Sequence, residues 1–308
     1  MRWLVPGLLL GGMALALTQT GAAPAPAVGT HGLARAEAAR APAPASQPST
    51  PSGPRQAIAG QQYGGYGRFQ RYLPAPAVAE RREFSWSRLQ YDPALGSNYG
   101  YGYGWRRRGG GAWRTDYPTA DRTFLEALRR LTRINARSYE QVVQLTDNSV
   151  YNYPFLYAVQ VQSWTFTPPQ AAKLRDYLLK GGFLMVDDFH GTEDWDNFMR
   201  GMRMVFPHRA VEDLPDNDPI FHVLYNLDDK FQVPGEQYVN TGRTYEKDGY
   251  VPKWRAIRDD QGRIMVAICH NMHLGDAWEW ADMPEYPENF ASLAYRLALN
   301  YVVYGMTH

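Results

Sequence analysis

Hydrophobic runs alternate with polar and glycine-containing stretches from Glu83 to the end of the chain, and their lengths predict strands alternating with helices. The most informative run covers residues 183–186 (Phe-Leu-Met-Val). Two glycines precede it, and residues 187–191 (Asp-Asp-Phe-His-Gly) follow it. A short, continuous apolar run is typical of a strand that is buried on both faces of a sheet. We therefore predict a central strand whose polar neighbours lie at its carboxyl end, where ligands bind in open α/β sheets.

The remaining strands are predicted from shorter or alternating runs. The first begins at residue 83 and stops at Asp92, and two more cover residues 142–145 and 155–159. Residues 254–258 and 263–269 flank an Asp-Asp-Gln-Gly turn, which predicts a hairpin. The Asp-, Pro- and Gly-rich stretch from 208 to 250 shows no pattern that assigns an element.

Helices are predicted where apolar residues recur every three or four positions. The first follows residue 118 and has a stripe of Phe124, Leu128 and Leu131. Thr115 or Asp116 is expected to cap it, with proline in its first turn.

The second helix has the clearest boundaries. Thr167 and Gln170 form a capping box around two prolines, and Gly181 closes the helix. Its predicted buried stripe is Ala171, Leu174 and Leu178. Two later helices are predicted at about residues 195–206, ended by a proline, and 287–301.

Strands and helices that alternate over short connections predict an α/β fold, a three-layer sandwich. We expect its sheet to be doubly wound and mainly parallel, with an antiparallel edge. The 308 residues are 44% hydrophobic and 14% aromatic, which is ample material for a core.

The N-terminal quarter of the chain, residues 1–82, has a different composition. Residues 1–22 have the layout of a secretory signal peptide, with Arg2, an apolar run and small residues around Gly21; an uncleaved membrane anchor is the alternative. Residues 23–60 predict a disordered Pro/Ala-rich tether, residues 61–82 a Gly/Tyr-rich border segment, and residues 83–308 a single α/β domain. We therefore expect a periplasmic or secreted protein whose first 60 residues or so are dispensable for folding.

Charge and cysteine content narrow the possible functions. The formal net charge of +1 argues against a nucleic-acid partner, because phosphate-tracking surfaces need a clear excess of Lys and Arg. Cys269 is the only cysteine, so the chain forms no internal disulfide. Residues 99–105, which alternate Tyr and Gly, predict either a flexible loop or an aromatic surface that stacks on sugar or peptide.

Polar residues follow several of the predicted strands. Because the carboxyl ends of parallel strands share one edge, we expect these side chains to converge in a cleft. The candidate catalytic residues are Asp187, Asp188, His190 and His270. The candidate ligand-binding residues are Asp92, Asp116, Asp147, Asn271, Asp276 and Glu279.

Two chemical interpretations of this cleft remain open, beside a purely structural one. Asp188, His190 and His270 are candidate ligands for a divalent metal such as Zn or Mn, although no cofactor is firmly implied. Alternatively, an Asp–His pair acts as general base and orienting group without metal. In the purely structural interpretation, polar residues at strand ends cap helices or bond to neighbouring loops. The pair His270 and His273 also lacks the helix and the glutamate of a metalloprotease motif.

Several motifs together resemble the bacterial family known as domain of unknown function 4159. They are Trp113-x-Thr115-Asp116-Tyr117-Pro118-x-Ala120-Asp121, Tyr153-Pro154-Phe155, Asp187-Asp188-x-His190-Gly191 and Gly275-Asp276-Ala277-Trp278-Glu279. The resemblance implies a flavodoxin-like fold of the class I glutamine amidotransferase-like superfamily, which includes trehalose-utilisation-type proteins. In that superfamily a cysteine nucleophile follows a central strand. Here the matching turn holds Asp187 and Asp188, so glutaminase activity is not expected.

Two functions from different classes are consistent with the sequence. The first is a binding or assembly module for a small polar ligand, a saccharide or a cell-envelope component, with envelope proteins as possible partners. The second is a hydrolase, metal-assisted or not, that uses the Asp/His site.

Overall fold

The computed structural model describes residues 82–93, 111–146 and 148–308. The predictions for the signal peptide, the tether, most of the border segment, the aromatic stretch 99–105 and Asp147 lie outside these residues. Among the described residues, no helix combines the length and the apolar character needed to cross a bilayer.

The described part of the chain contains nine strands. They are β1 (Ser87–Gln90), β2 (Asp92–Pro93), β3 (Gln141–Gln144), β4 (Phe155–Val159), β5 (Trp164–Thr165), β6 (Phe183–Asp187), β7 (Glu212–Asp213), β8 (Lys253–Arg258) and β9 (Ile264–His270). Seven of them form one sheet in the order β3-β1-β4-β6-β9-β8-β7. The first five in that order run parallel, while β8 and β7 add antiparallel pairs at one edge. The predicted mainly parallel sheet with an antiparallel edge is therefore confirmed.

The central strand predicted from residues 183–186 is β6. β6 lies fourth of the seven strands, between β4 and β9, and every residue of the three strands is buried. Met185 of β6 pairs with Tyr157 on one side and Ala267 on the other. Burial on both faces is why these strands read as continuous apolar runs in the sequence.

Six helices in the described residues surround the sheet. They are α1 (Thr119–Leu131), α2 (Pro168–Leu179), α3 (Gly191–Val205), α4 (Gln237–Thr241), α5 (Leu274–Glu279) and α6 (Glu288–Thr307). Two separate apolar cores result, one containing residues of α1, α5 and α6 and the other residues of α2 and α3. The sheet therefore has helices on both faces, which confirms the three-layer α/β sandwich.

The capping-box prediction for α2 is confirmed. The backbone N–H of Gln170 donates to Thr167 Oγ1 at 3.4 Å, and the backbone N–H of Thr167 donates to Gln170 Oε1 at 2.8 Å. Ala171, Leu174 and Leu178 are buried as predicted. These features are local in sequence, so pattern alone was sufficient to find them.

Three other local predictions were wrong. α1 begins after Pro118 without a side-chain cap, because Thr115 Oγ1 instead donates to the Ala112 carbonyl. Leu131 is 55% exposed, and Leu125 takes its place in the buried stripe. The first strand starts at Ser87 rather than residue 83, since Phe84 makes only an isolated bridge to Ala136.

Candidate functional site

The turns after β4, β6 and β9 share an unusual backbone conformation. Gln160, Asp188 and Asn271 each directly follow one of these strands, with φ of 51°, 57° and 66°. A left-handed conformation costs a non-glycine residue about 1–2 kcal/mol, and such strain tends to cluster at functional sites. Backbone hydrogen bonds link the three turns. The Gln160 N–H donates to the Asp188 carbonyl at 3.1 Å, and the Asp188 N–H donates to the Met272 carbonyl at 3.1 Å.

A buried imidazole lies among carboxylates at this edge of the sheet. His273 Nε2 is 2.8 Å from Asp116 Oδ2 and 3.4 Å from Asp188 Oδ2, while its Nδ1 is 3.1 Å from Asp276 Oδ2. We call Asp116, Asp188, His273 and Asp276 the His273 cluster. Its members arrive from the segment before α1, from the end of β6 and from α5 and the residue before it, so the topology assembles it from distant parts of the chain.

The charges of the His273 cluster follow from this geometry. Both ring nitrogens face carboxylates, yet a neutral imidazole carries only one N–H. Burial alone would lower the pKa of His273, but the charges of Asp188, Asp276 and Asp116 outweigh it and raise that pKa well above its usual range. For Asp188 the directions are reversed: burial alone would raise its pKa, but the neighbouring His273 and His190 outweigh burial and lower that pKa. An ionised Asp188 therefore faces a protonated imidazole.

More acidic groups surround the cluster than one imidazolium can neutralise. Burial raises the pKa of Asp276 well above its usual range. Burial, together with the charge of Asp116, raises the pKa of Glu279 to about 8. The carboxylate oxygens of Asp116, Asp276 and Glu279 lie within 4.8 Å of one another. This corner of the fold therefore takes up positive charge, as protons or as another cation.

Asp187 has a different role from its neighbour. Its Oδ2 accepts hydrogen bonds from the Tyr157 hydroxyl at 3.0 Å and from the backbone N–H groups of Leu274 and Gly275 at 2.8 and 3.1 Å. The last two are the first N–H groups of α5, so Asp187 holds the start of that helix. Burial raises the pKa of Asp187 to about 6. Asp187 thus positions the residue before α5, which is His273.

His190 lies on the other side of Asp188. Its side chain is 3% exposed, and Nε2 is 3.4 Å from Asp188 Oδ1 and 3.6 Å from Glu246 Oε1. Neither ring nitrogen makes a hydrogen bond within the described chain. Asp188 therefore has an imidazole opposite each of its two oxygens.

His270, by contrast, belongs to a pocket and not to the His273 cluster. Its Nε2 is 3.1 Å from the Gly191 carbonyl and its Nδ1 is 3.4 Å from Arg255 Nη1. Burial and the adjacent Arg255 charge lower the pKa of His270 to about 4, although the bond to Gly191 opposes them. Its ring stacks on Phe189, with centroids 4.8 Å apart. We call the adjoining space of about 300 Å³ the His270 pocket; it is lined by Gly191, Thr192, Trp195, Asp248, Tyr250, Val251, Lys253, Arg255, His270 and Asn271.

Backbone geometry forms one wall of the His270 pocket. Gly191 has φ of 79°, and a Cβ there would lie 1.8 Å from Asp248 Oδ1, so only glycine fits. Asn271 Oδ1 accepts from the Gly191 N–H at 2.8 Å, and its Nδ2 donates to the Val251 carbonyl at 2.7 Å. Asn271, predicted as a ligand-binding residue, therefore lines the pocket while its amide holds two backbone segments.

The predicted convergence is thus split between two places. Asp116, Asp188 and Asp276 meet at His273, with Glu279 beside them, whereas His270 and Asn271 line the pocket. Asp92 joins neither, because it lies in the small β2–β5 sheet and accepts from Gln170 Nε2 at 3.0 Å. His273 was missed as a central residue, since its partner Asp116 is 157 positions away in sequence.

Comparison with known proteins adds one match. A family model described as a domain of unknown function, DUF4159, covers residues 100–306, which is more than half of the chain. No curated protein matches the sequence.

Proposed function

The chain belongs to the DUF4159 family, and we propose that it binds a small acidic saccharide, or a cell-envelope component of that chemistry, in the His270 pocket. The observation that carries the proposal is the lining of this pocket, which combines an aromatic face with the two cations Lys253 and Arg255. Both features lie next to the carboxyl ends of β6 and β9, where open α/β sheets bind ligands.

The aromatic face is provided by Trp195. Its ring centroid lies 5.0 Å from that of His270, and the guanidinium carbon of Arg255 is 4.2 Å from its ring centroid. These contacts on the ring hold the indole in place. Tyr250, 63% exposed, stands nearby. Rigid aromatic surfaces of this kind offer contact area to a sugar ring at low entropic cost.

The charge of the pocket favours an anion. Lys253 and Arg255 both line it, and within the described residues Lys253 makes no ion pair. Arg255 Nε donates to Asp213 Oδ1 at 2.7 Å, so the two Nη groups of its guanidinium lie outside this hydrogen bond. Asp248 is the acidic residue among the described lining residues, and it accepts hydrogen bonds from the Thr192 N–H at 3.0 Å and from the Thr192 hydroxyl at 2.6 Å. Because the lowered pKa of His270 keeps that residue neutral, the two cations among the described lining residues, Lys253 and Arg255, exceed the one carboxylate, Asp248, by one charge near pH 7.

Export is part of the proposal. The signal-peptide layout of residues 1–22 and the Pro/Ala-rich composition of residues 23–60 support a domain tethered in the periplasm or secreted. An envelope glycan carrying carboxylate groups would then be accessible to the pocket.

We further propose that the fold is flavodoxin-like and related to the class I glutamine amidotransferases. In chain order, the five parallel strands have the spatial order 2-1-3-4-5, which supports this relation. A strained Asp188 stands directly after the central strand, where those enzymes carry cysteine.

The test is a thermal-shift and calorimetric screen of the full chain against neutral and uronic-acid oligosaccharides at low salt. We expect acidic members to bind, Trp195→Ala and Arg255→Ala to abolish binding, and Trp113→Ala, which lies outside the pocket, to retain it. Equal binding of neutral and acidic sugars, or full affinity in Trp195→Ala, would contradict the proposal.

A second function, hydrolysis, is favoured by one specific observation. An ionised, backbone-strained Asp188 lies 3.4 Å from a protonated His273, which is the pairing of a general base with a general acid. Turnover of a panel of esters, glycosides and amides that is lost in Asp188→Asn would support hydrolysis. Equal turnover in that variant would exclude this site as its source.

A further inference from the structure

We propose that Asp116, Asp188 and His273 bind a divalent cation of the Zn²⁺ or Mn²⁺ type, with Asp276 orienting the imidazole from behind. The ligand atoms of these three residues lie within 4.8 Å of one another. The proposal concerns the His273 cluster and not the His270 pocket, so it goes beyond the saccharide-binding function.

The first argument is the direction of the His273 ring. Nδ1 faces Asp276 Oδ2 at 3.1 Å, which is the arrangement in which a carboxylate accepts the N–H of a metal-binding histidine. That leaves Nε2 facing Asp116 and Asp188 oxygens at 2.8 and 3.4 Å. The positive charge among these atoms is the Nε2 proton of the imidazolium when no metal is bound, and a divalent ion would displace that proton and bind the nitrogen and the two carboxylates.

The spacing suits such an ion. Metal–ligand bonds of about 2.0–2.2 Å place neighbouring donor atoms roughly 3–3.5 Å apart around a four-coordinate centre. The separations of 2.8 and 3.4 Å around Nε2 are close to that range. One imidazole nitrogen with two carboxylates is a donor set that suits Zn²⁺ and Mn²⁺.

His190 provides an independent observation. This side chain is 97% buried, since 3% is exposed, and neither of its ring nitrogens makes a hydrogen bond within the described chain. Its Nε2 is directed at Asp188 Oδ1, the oxygen opposite the one that faces His273, at 3.4 Å. A buried polar group that makes no hydrogen bond is costly. A water bound to a cation at Asp188 would supply the hydrogen-bond partner that His190 lacks.

The proposed site uses His273, and not His190 or His270, as its histidine ligand. His270, a candidate from the sequence, has both nitrogens engaged, by the Gly191 carbonyl and by Arg255. Hence His270→Gln is a matched control: it removes a neighbouring buried imidazole without touching the three proposed ligands.

The experiment titrates chelator-treated full chain with ZnCl₂ and MnCl₂, followed by calorimetry and thermal unfolding. We expect saturable one-site binding with a rising Tm for at least one of the ions. His273→Asn and Asp188→Asn should weaken affinity more than about 100-fold, Asp276→Asn about 10–100-fold, as for outer-sphere partners elsewhere, and His270→Gln less than about twofold.

Folding of each variant is checked by near-UV circular dichroism in chelator, and Asp116→Asn replaces any ligand variant that does not fold. Co²⁺ provides a second readout, because its visible absorption reports the coordination of the ion and should weaken or shift in His273→Asn but not in His270→Gln. No binding of either ion, unchanged affinity in folded His273→Asn, or loss confined to His270→Gln would each overturn the site. If Trp195→Ala loses saccharide binding but keeps its metal affinity, the His270 pocket and the His273 cluster are independent sites, and the failure of one proposal leaves the other intact.

Discussion

A buried ion pair between β1 and α1 leads to the most quantitative prediction. Arg88 of β1 and Asp121 of α1 are both fully buried, with Nε–Oδ1 and Nη2–Oδ2 separations of 3.1 and 2.5 Å. The Trp86 indole N–H also donates to Asp121 Oδ1 at 2.8 Å. Arg88 Nη1 donates to the Thr115 carbonyl at 3.3 Å, next to Asp116, so the pair supports the segment that delivers Asp116 to His273.

The perturbation is Asp121→Ala. Breaking a buried pair by removing one partner costs about 3–5 kcal/mol, because the remaining charge is left uncompensated. For a domain of this size that corresponds to a fall in Tm of about 6–20 °C. Burial raises the pKa of Asp121 even beside Arg88, which shows that desolvation offsets part of the attraction. Replacing both partners in Arg88→Met/Asp121→Leu should therefore restore most of the lost stability.

The assay is urea unfolding followed by tryptophan fluorescence and far-UV circular dichroism, with Glu126→Ala as the control. Glu126 pairs with Arg130 on the same helix at 2.8 Å, but both side chains are largely exposed, so we expect less than about 0.5 kcal/mol. A loss under about 1 kcal/mol in Asp121→Ala, or a double variant as unstable as the single one, would refute the reasoning.

Three further predictions concern other parts of the molecule. Gly201→Ala on α3 would place a methyl group 2.3 Å from Trp164 Nε1, so we expect a loss of about 1–3 kcal/mol in urea unfolding, while the exposed neighbouring Arg200→Ala should be neutral. Burial lowers the pKa of His270 to about 4 in the folded protein, from 6.5 in the unfolded chain, so the folded protein binds fewer protons between these values. The free energy of unfolding should therefore fall as pH drops from about 7 to 4, by up to roughly 3 kcal/mol. His270→Gln should flatten that slope in pH-dependent melts, and an unchanged slope would contradict it. Deleting residues 1–60 should lower Tm by less than about five degrees; a larger loss would mean that this segment packs on the domain.

Much of the fold could be predicted because its signals are local. The runs that became β4, β6 and β9 are apolar over their whole length because both faces of each strand are buried, and the Thr167–Gln170 box is complete within four residues. The six-residue helix α5 was not predicted, since its N-terminus is held by Asp187, which is distant in sequence.

The candidate site was predictable only in part, for a related reason. The sequence places Asp188 at the end of β6 but does not show which histidine its carboxylate meets. β9 extends through His270, so that side chain is fixed within the strand, whereas the turn at Asn271 redirects the chain and brings His273 to the carboxylates. The sequence therefore shows which polar residues follow a strand, but not which side chains they contact in the fold.

The central claim, a ligand site on the Trp195 face of the His270 pocket, is tested most directly by the indole N–H resonances in ¹H–¹⁵N spectra. Assignments come from Trp195→Phe and Trp113→Phe variants, and the titrant is an acidic oligosaccharide from the screen. The account predicts a saturable shift of the Trp195 resonance while that of Trp113 stays unchanged. A bound saccharide that leaves Trp195 unperturbed, or shifts Trp113 instead, would contradict it.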